Sequence, residues 1–229
     1  MGVKGTQYRN QSQLHEWLTK KTYDFLAYRV TQRGIIWRQE HTIHNGMRPD
    51  AVAFCSLQNK YYEEITGKEY PRDYMVREIM AELGFDFSKR HIDCKEWVKY
   101  QGMAVNKYFG IENEFMIVFE TKVSYSDYRN SFNGSGEYKE KPYANLHFLV
   151  FPEGFTKAYT LLKDSCKIKP PDHWGILEPS PRALKIIKLP KYVGIERNFF
   201  LEAAYTILFK WGKAIREIEK IECRNEINQ

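Results

Sequence analysis

The chain has 229 residues, of which 43% are hydrophobic, 15% aromatic and 28% charged. This is the composition of a folded globular protein, and it excludes a largely disordered chain. The formal net charge is +6, which suits a polyanionic partner such as nucleic acid. The sequence contains no long apolar run and no signal-like N-terminus, so we expect a cytoplasmic protein without a membrane contact.

The four cysteines, Cys55, Cys94, Cys166 and Cys223, are far apart and form no C-x-x-C pair. The sequence therefore predicts neither a zinc ribbon nor a disulfide framework. At this length one good hydrophobic core is expected, so we treat residues 1–229 as a single domain.

The first elements in chain order are a helix and two strands. Ser12 to about Arg29 has the pattern of an amphipathic helix, with Ser12 as its N-cap. A strand is expected over Ile35–Glu40, and Asn45-Gly46 is typical of a hairpin turn. This turn leads directly into a second strand that begins near Asp50.

Residues 57–113 carry helical periodicity. Apolar side chains recur at three-four spacing between Pro71 and Gly84, and a second helix is expected over Asp93–Phe109. We interpret the segment as a helical insertion that either contacts DNA or packs on one edge of the core. Its candidate nucleic-acid contacts are Lys95, Lys99 and Lys107.

The remainder of the chain alternates strands with helices, which favours a mixed α/β sheet. The predicted elements are a central strand over Phe115–Val123, a helix over Ser126–Phe132 capped by Ser126 or Asp127, and a strand over Leu146–Phe151. The proline-rich stretch from Pro170 to Pro190 is expected to be irregular. A final helix over 198–222 has a broad apolar stripe, so it either covers the core or forms a homodimer contact.

Two carboxylates and one ammonium are the candidate chemical groups. Glu120 and Lys122 end the apolar strand and must project from the same face, because strand side chains alternate with period two. Asp50 begins the earlier apolar strand in the string Arg48-Pro49-Asp50-Ala-Val. Burying charges at the ends of apolar strands is costly unless they have partners or a task. The alternative without a chemical function is that Glu120 and Lys122 form a surface ion pair on a half-exposed strand, which contributes little to stability.

An Asp followed at a distance by Glu-x-Lys resembles the pattern of the PD-(D/E)xK nucleases. The strings Glu120-Thr-Lys-Val-Ser-Tyr-Ser-Asp127 and Tyr143-Ala-Asn-Leu-His-Phe-Leu-Val-Phe-Pro-Glu-Gly154 resemble the DNA-repair-associated MmcB-like branch of that superfamily. A turn at Gly175-Ile-Leu177 completes the similarity, which covers roughly residues 35–177. Two departures are Thr121 in place of the usual aliphatic residue and the long separation between Asp50 and Glu120.

This resemblance implies a restriction-endonuclease-like mixed β-sheet core flanked by helices, with a helical insertion and a C-terminal helix. It also implies roles at the site. Mg²⁺, for which Mn²⁺ can substitute, would be held by Asp50, Glu120 and the carbonyl of Thr121, because hard cations prefer oxygen ligands. Lys122 would stabilise developing negative charge. Glu40 is favoured over Glu16 as a further acid, and Ser124 and Ser126 are expected nucleic-acid contacts.

The sequence therefore predicts a metal-dependent nuclease that hydrolyses the phosphodiester bonds of DNA in repair, restriction or mobile-element defence. RNA stays open as an alternative substrate. A second hypothesis is a non-catalytic nucleic-acid-binding protein on the same fold. A third is a structural protein in which Glu120 and Lys122 form only an ion pair.

Overall fold

The computed structural model describes residues 10–31, 35–43, 47–89, 91, 93–110, 113–132, 142–181, 183–196 and 203–204. The strands are β1 (Ile36–Gln39), β2 (Ala51–Cys55), β3 (Phe115–Thr121), β4 (Leu146–Val150), β5 (Trp174–Pro179) and β6 (Leu184–Lys188). The helices are α1 (Gln11–Phe25), α2 (Asn59–Thr66), α3 (Asp73–Glu82), α4 (Cys94–Phe109), α5 (Tyr125–Phe132) and α6 (Phe155–Ala158). A π-helical turn, Leu26–Val30, continues α1.

The six strands form one mixed sheet in the order β1-β2-β3-β4-β5-β6. The pairs β1–β2, β2–β3 and β5–β6 are antiparallel, whereas β3–β4 and β4–β5 are parallel. A parallel pair needs a crossover connection, and α5 lies in the connection between β3 and β4. The expected mixed α/β sheet with flanking helices is confirmed.

The alternation of side chains along β3 divides the core into two layers. Phe115, Ile117 and Phe119 pack with α1 on one face, while Met116 and Val118 pack with α5 on the other. All seven residues of β3 are buried, as a strand covered on both faces requires. Side chains at the end of β3 therefore project alternately toward α1 and toward α5.

The insertion leaves the sheet after β2 and returns at β3, where Cys55 and Phe115 are paired. Its helices α3 and α4 pack on each other around a small cluster of their own: Val76, Met80, Phe85 and Ala104. The base of the insertion belongs to the main core through Tyr62 and Phe109, whose ring centroids are 5.0 Å apart.

Two predicted helix caps are wrong. The N-cap of α1 is Asn10 rather than Ser12, because the Asn10 side chain accepts a hydrogen bond of 2.9 Å from the Gln13 N–H. At α5 the cap is Ser124 rather than Ser126 or Asp127. The Ser124 Oγ accepts a hydrogen bond of 3.2 Å from the Asp127 N–H, and the helix begins at Tyr125, one residue earlier than predicted.

The expectation of irregular chain over the prolines is also wrong, because β5 and β6 lie between them. Pro179 ends β5, and Pro190 follows β6, so the prolines flank the strands and do not interrupt them. Gly175 belongs to β5 and not to a turn. A Cβ at Gly175 would lie 2.8 Å from the Phe148 ring and 2.8 Å from the Pro190 nitrogen, so close packing requires glycine here.

Two predictions lie outside the described residues. They are the hairpin turn at Asn45-Gly46 and, except for the helical pair Ala203 and Ala204, the helix over 198–222. None of the helices in the described part of the chain is both long and apolar enough to cross a membrane.

Candidate functional site

The candidate site lies where three neighbouring strands end. Ala51 pairs with Gln39 of β1 and with Phe119 of β3. Continuing both registers by one residue puts Glu40, Asp50 and Glu120 at one level. The backbone contacts agree, because the Glu40 N–H donates to the Asp50 carbonyl at 2.9 Å. Opposite residues of antiparallel strands have Cβ atoms about 4.5–5.5 Å apart, so the continued register predicts that the Cβ atoms of Asp50 and Glu120 are neighbours.

Asp50 is fixed by two donors on the same carboxylate oxygen. Its Oδ2 accepts a hydrogen bond of 2.7 Å from the Thr121 N–H and lies 3.2 Å from the His15 Nε2. Burial opposes ionisation of Asp50, but these hydrogen bonds outweigh burial and leave the pKa of the carboxyl lowered. Asp50 is therefore a carboxylate at neutral pH.

His15 is a site residue that sequence reasoning missed. The hydrogen bond to Asp50 raises the pKa of His15, and burial opposes that rise only in part. His15 lies in α1, 35 positions before Asp50, so no local spacing connects the two residues. One feature of the sequence could have indicated it: His15 directly precedes Glu16, and Glu16 was already a candidate acid.

Glu120 and Lys122 lie on the same face, as strand alternation predicts, and Lys122 also contacts Asp127 of α5. Glu120 is 2% exposed, and the Lys122 Nζ lies 3.7 Å from its Oε2 and 3.7 Å from the Asp127 Oδ1. The Lys122 side chain is only 11% exposed. The pair is thus buried and is not the exposed surface pair of a half-exposed strand.

Thr121 faces the opposite way and joins the site to α1. Its Oγ1 lies 2.9 Å from the Thr19 Oγ1, and both side chains are buried. The Thr121 N–H is already used by Asp50. The strand thereby links α1, Asp50 and the pair formed by Glu120 and Lys122.

The two further acids border a cleft of about 390 Å³ between α1 and β1, which His15 also lines. Glu40 pairs with Arg48, and Glu16 pairs with Lys20 at 2.6 Å. Both carboxylates are more than half exposed. Both acids therefore lie at the cleft, and among the described residues neither side chain contacts Asp50.

A cation at this site would have few protein ligands. Within the described ranges, no three His, Cys, Asp or Glu side chains are grouped as a metal site. Mg²⁺ usually keeps several waters and needs only one or two carboxylates. The ionised Asp50 and the buried Glu120 are two carboxyl groups of the kind that this requirement names.

The predicted nucleic-acid contacts occupy two places. Ser124 caps α5, and its Oγ lies 3.0 Å from that of the exposed Ser126, near Lys122. The three lysines lie on α4: Lys95 is exposed, Lys99 lies 5.9 Å from the Tyr100 ring centroid, and Lys107 pairs with Glu82 at 2.7 Å. No described contact joins these lysines to Asp50 or Glu120.

The second string of the resemblance has a structural explanation. Gly154 has a φ of 77°, and its N–H and that of Thr156 donate to the buried carboxylate of Glu178 at 2.9 and 2.7 Å. Asn145 accepts a hydrogen bond of 2.9 Å from the Met116 N–H. These residues shape the ends of β4 and β5.

No protein-family model matches the chain, and no curated protein matches it. Among solved structures the fold is similar to that of a protein of unknown function from Silicibacter pomeroyi, SPO1766. The TM-score is 0.48 and the identity 11%, over 94% of this chain and 96% of that one.

Proposed function

We propose that this protein is a metal-dependent nuclease that hydrolyses phosphodiester bonds of DNA, and that it belongs to the PD-(D/E)xK type. The observation that carries the proposal is the buried Glu120–Lys122 pair beside an ionised Asp50. Strand ends rarely hold two buried charges beside a half-buried one without a task, because each charge loses hydration.

The order of elements supports the same proposal. Helix α1 is followed by the antiparallel strands β1 and β2, as the nuclease core of the resemblance implies. The long separation between Asp50 and Glu120 is taken up by the insertion. It leaves β2 and β3 paired as direct neighbours.

The proposed chemistry assigns a separate task to each residue. Bound Mg²⁺ would supply an activated water and offset charge on the scissile phosphate. Asp50, Glu120 and the Thr121 carbonyl would hold the cation at this end of the sheet. Lys122 would place its ammonium beside the phosphate, where it stabilises negative charge that increases in the transition state.

His15 would act by positioning Asp50. Its Nε2 and the Thr121 N–H share Oδ2, so the carboxylate cannot rotate freely. The other oxygen, Oδ1, would then be the ligand of the cation. A fixed carboxylate loses less entropy when a cation binds.

The biological setting follows from the resemblance and the charge. We propose action in DNA repair, restriction or mobile-element defence, in the cytoplasm, with DNA as the substrate. The net charge of +6 supports a polyanionic partner. A homodimer through the helix predicted over 198–222 is part of the same proposal.

The test is cleavage of plasmid DNA and of a labelled oligonucleotide with Mg²⁺, with Mn²⁺ and with EDTA. Asp50→Asn and Glu120→Gln should each abolish cleavage and keep the fold, because each removes a charged ligand with little change of shape. Asp73→Asn, an exposed acid at the start of α3, is the matched control. Cleavage at the wild-type rate by either site variant would refute the assignment.

One observation favours the non-catalytic alternative. Lys122 lies between Glu120 and Asp127, so the charges also satisfy one another without a metal. Calorimetric titration with Mn²⁺ separates the two functions. Binding that Asp50→Asn removes supports the nuclease, and the absence of Mn²⁺ binding to wild type supports a purely nucleic-acid-binding role.

A further inference from the structure

A second cleft, of about 500 Å³, lies on another side of α1. The end of α1 and its π-helical turn form one wall, the start of α2 forms another, and edge strand β6 closes the third. Its volume lies within the range of roughly 300–1,000 Å³ that is usual for small-ligand sites. We refer to it as the β6 cleft.

The β6 cleft is distinct from the site at Asp50. His15 lines the first cleft and Arg29 the second, and the two residues are 14 positions apart on one helical segment. At 1.5 Å per residue, this separation corresponds to about 20 Å along the axis. Among the residues that the structure describes, the two clefts also share no lining residue.

The rim of the β6 cleft is cationic. Arg29, Lys60 and Lys185 contribute three positive charges, and Glu64 contributes one negative charge. No described carboxylate lies within ion-pairing distance of any of the three cations. Cations on other surfaces do have such partners, for example Lys20 with Glu16. Positive charges without internal partners in a concave site attract an anionic ligand.

The floor of the cleft is apolar and partly exposed. Tyr61 and Ile186 are half-buried, and the buried Phe25 and Leu184 lie beneath them. The Lys60 Nζ lies 5.8 Å from the centroid of the Tyr61 ring. An anionic group bound by Lys60 would therefore leave the rest of its ligand beside an aromatic face, which suits a planar ring.

The edge of the sheet is protected against a peptide strand. β6 pairs with β5 through a register shift near Ile176 and Leu177, and it carries the exposed Lys185. Bulges and edge lysines are the usual means by which sheets block strand addition. The cleft thus favours a ligand other than an extended peptide.

We propose that the β6 cleft binds a nucleotide unit, with its phosphate on Arg29, Lys60 and Lys185 and its base against Tyr61. The unit is either free or part of a single strand of nucleic acid. This site is independent of hydrolysis at Asp50, since it requires neither a cation nor the Glu120–Lys122 pair.

The experiment measures fluorescence anisotropy of a labelled twelve-nucleotide oligo(dT) in EDTA, with the Asp50→Asn change present in every protein. Failure of the nuclease proposal then leaves this readout intact. The triple variant Arg29→Gln/Lys60→Gln/Lys185→Gln should bind at least about tenfold more weakly. Its plot of log K against log salt should be shallower by about 0.7, because one phosphate contact on a single strand is lost.

The matched control removes three exposed lysines elsewhere. Lys157→Gln/Lys163→Gln/Lys167→Gln loses the same charge from α6 and the segment after it. Its affinity and salt slope should stay close to those of the parent. An equal loss in both triple variants would mean that binding depends only on net charge, and the proposal would be wrong.

The aromatic contact is tested separately. Tyr61→Leu should weaken binding about tenfold, whereas Tyr61→Phe should not, because base stacking requires the ring and not the hydroxyl. Ultraviolet crosslinking of an oligonucleotide containing 5-bromouracil should label the peptide that contains Tyr61. A crosslink confined to other peptides would overturn the assignment.

Competition identifies the source of the nucleotide. Displacement of the oligonucleotide by thymidine monophosphate supports a free nucleotide, and displacement only by unlabelled oligo(dT) supports a nucleic-acid strand. Absence of oligonucleotide and thymidine monophosphate binding to the parent protein refutes the proposal. So does binding of hexaglutamate that protects β6 amide hydrogens from exchange, because it would assign the edge to peptide addition.

Discussion

The imidazole of His15 lies 3.2 Å from the carboxylate of Asp50 and connects α1 to the residue that precedes β2. The contact joins elements that are distant in sequence, and it fixes one face of the candidate cleft. A shift of α1 would therefore move a hydrogen-bond partner of Asp50. The position of the helix and the electrostatics of the site are coupled.

This contact predicts a reciprocal effect on titration. Asp50→Asn should lower the pKa of His15, because the hydrogen bond to Asp50 is the largest cause of its rise. Asp127→Asn should lower it less, since Asp127 makes the smallest contribution. NMR titration of the His15 ring measures both. Equal pKa values for His15 in wild type and Asp50→Asn would show that the contact does not form in solution.

Lys122→Ala should lower the turnover number far more than it lowers affinity for Mg²⁺. Loss of one pre-oriented positive charge typically costs about 10²–10³ in rate. Single-turnover cleavage at saturating metal measures the effect, with exposed Lys157→Ala as the control. A variant that loses Mg²⁺ binding but keeps its rate at saturating metal would contradict charge stabilisation.

The same pair predicts a coupling in stability. Lys122→Met leaves Glu120 buried beside an apolar chain, so its unfolding free energy should fall by about 3 kcal/mol. Adding Glu120→Gln should restore part of the loss, because the buried charge is then gone. Urea unfolding of both single variants and the double variant measures the coupling. Additive losses would mean that the pair does not interact.

Glu40→Gln and Glu16→Gln distinguish the two further acids. Since Glu40 stands level with Asp50 and Glu120 in the sheet register, we expect its variant to reduce cleavage and the Glu16 variant to have little effect. Initial rates at fixed Mg²⁺ provide the comparison. The reverse order would assign the role to α1.

Buried His147 predicts loss of stability in mild acid. Burial lowers its pKa to about 3, against 6.5 for the unfolded chain, so unfolding takes up a proton between these values. Its contribution is present above pH 6.5 and falls by about 1.4 kcal/mol per unit as the pH drops below it. His147→Gln should flatten this dependence. His15→Gln should act in the opposite sense, because the folded-state pKa of His15 is raised. The measurement is the free energy of unfolding at several pH values between about 4.5 and 7. The same dependence of this free energy on pH in wild type and His147→Gln would contradict the prediction.

Two glycine substitutions should have opposite signs. Gly175→Ala should destabilise the protein by about 1–3 kcal/mol, since its Cβ would press on Phe148 and the Pro190 backbone. Gly102→Ala, in the interior of α4, should stabilise it by about 0.5–1 kcal/mol, because the new Cβ would have no described atom within 4 Å apart from the local helix backbone. Thermal unfolding of both variants is the measurement.

Sequence patterns predicted the elements whose signals are local. The apolar alternation of β3 places Glu120 and Lys122 on one face, and the three-four spacing before Gly84 corresponds to α3. Long-range partners were not predictable. The contact of His15 with Asp50 depends on how α1 crosses the sheet, and β5 was missed because prolines at its borders resemble irregular chain.

The pairing of Cys55 with Phe115 means that the chain leaves and re-enters the sheet at a single point. The entropic cost of closing such an insertion grows only slowly with its length, so thermodynamics constrains that length weakly. The outer pair α3 and α4, with its own small core, can therefore change during evolution while β2 and β3 keep their register. Tyr62 and Phe109 cannot change in the same way, because they pack in the main core at the base of the insertion.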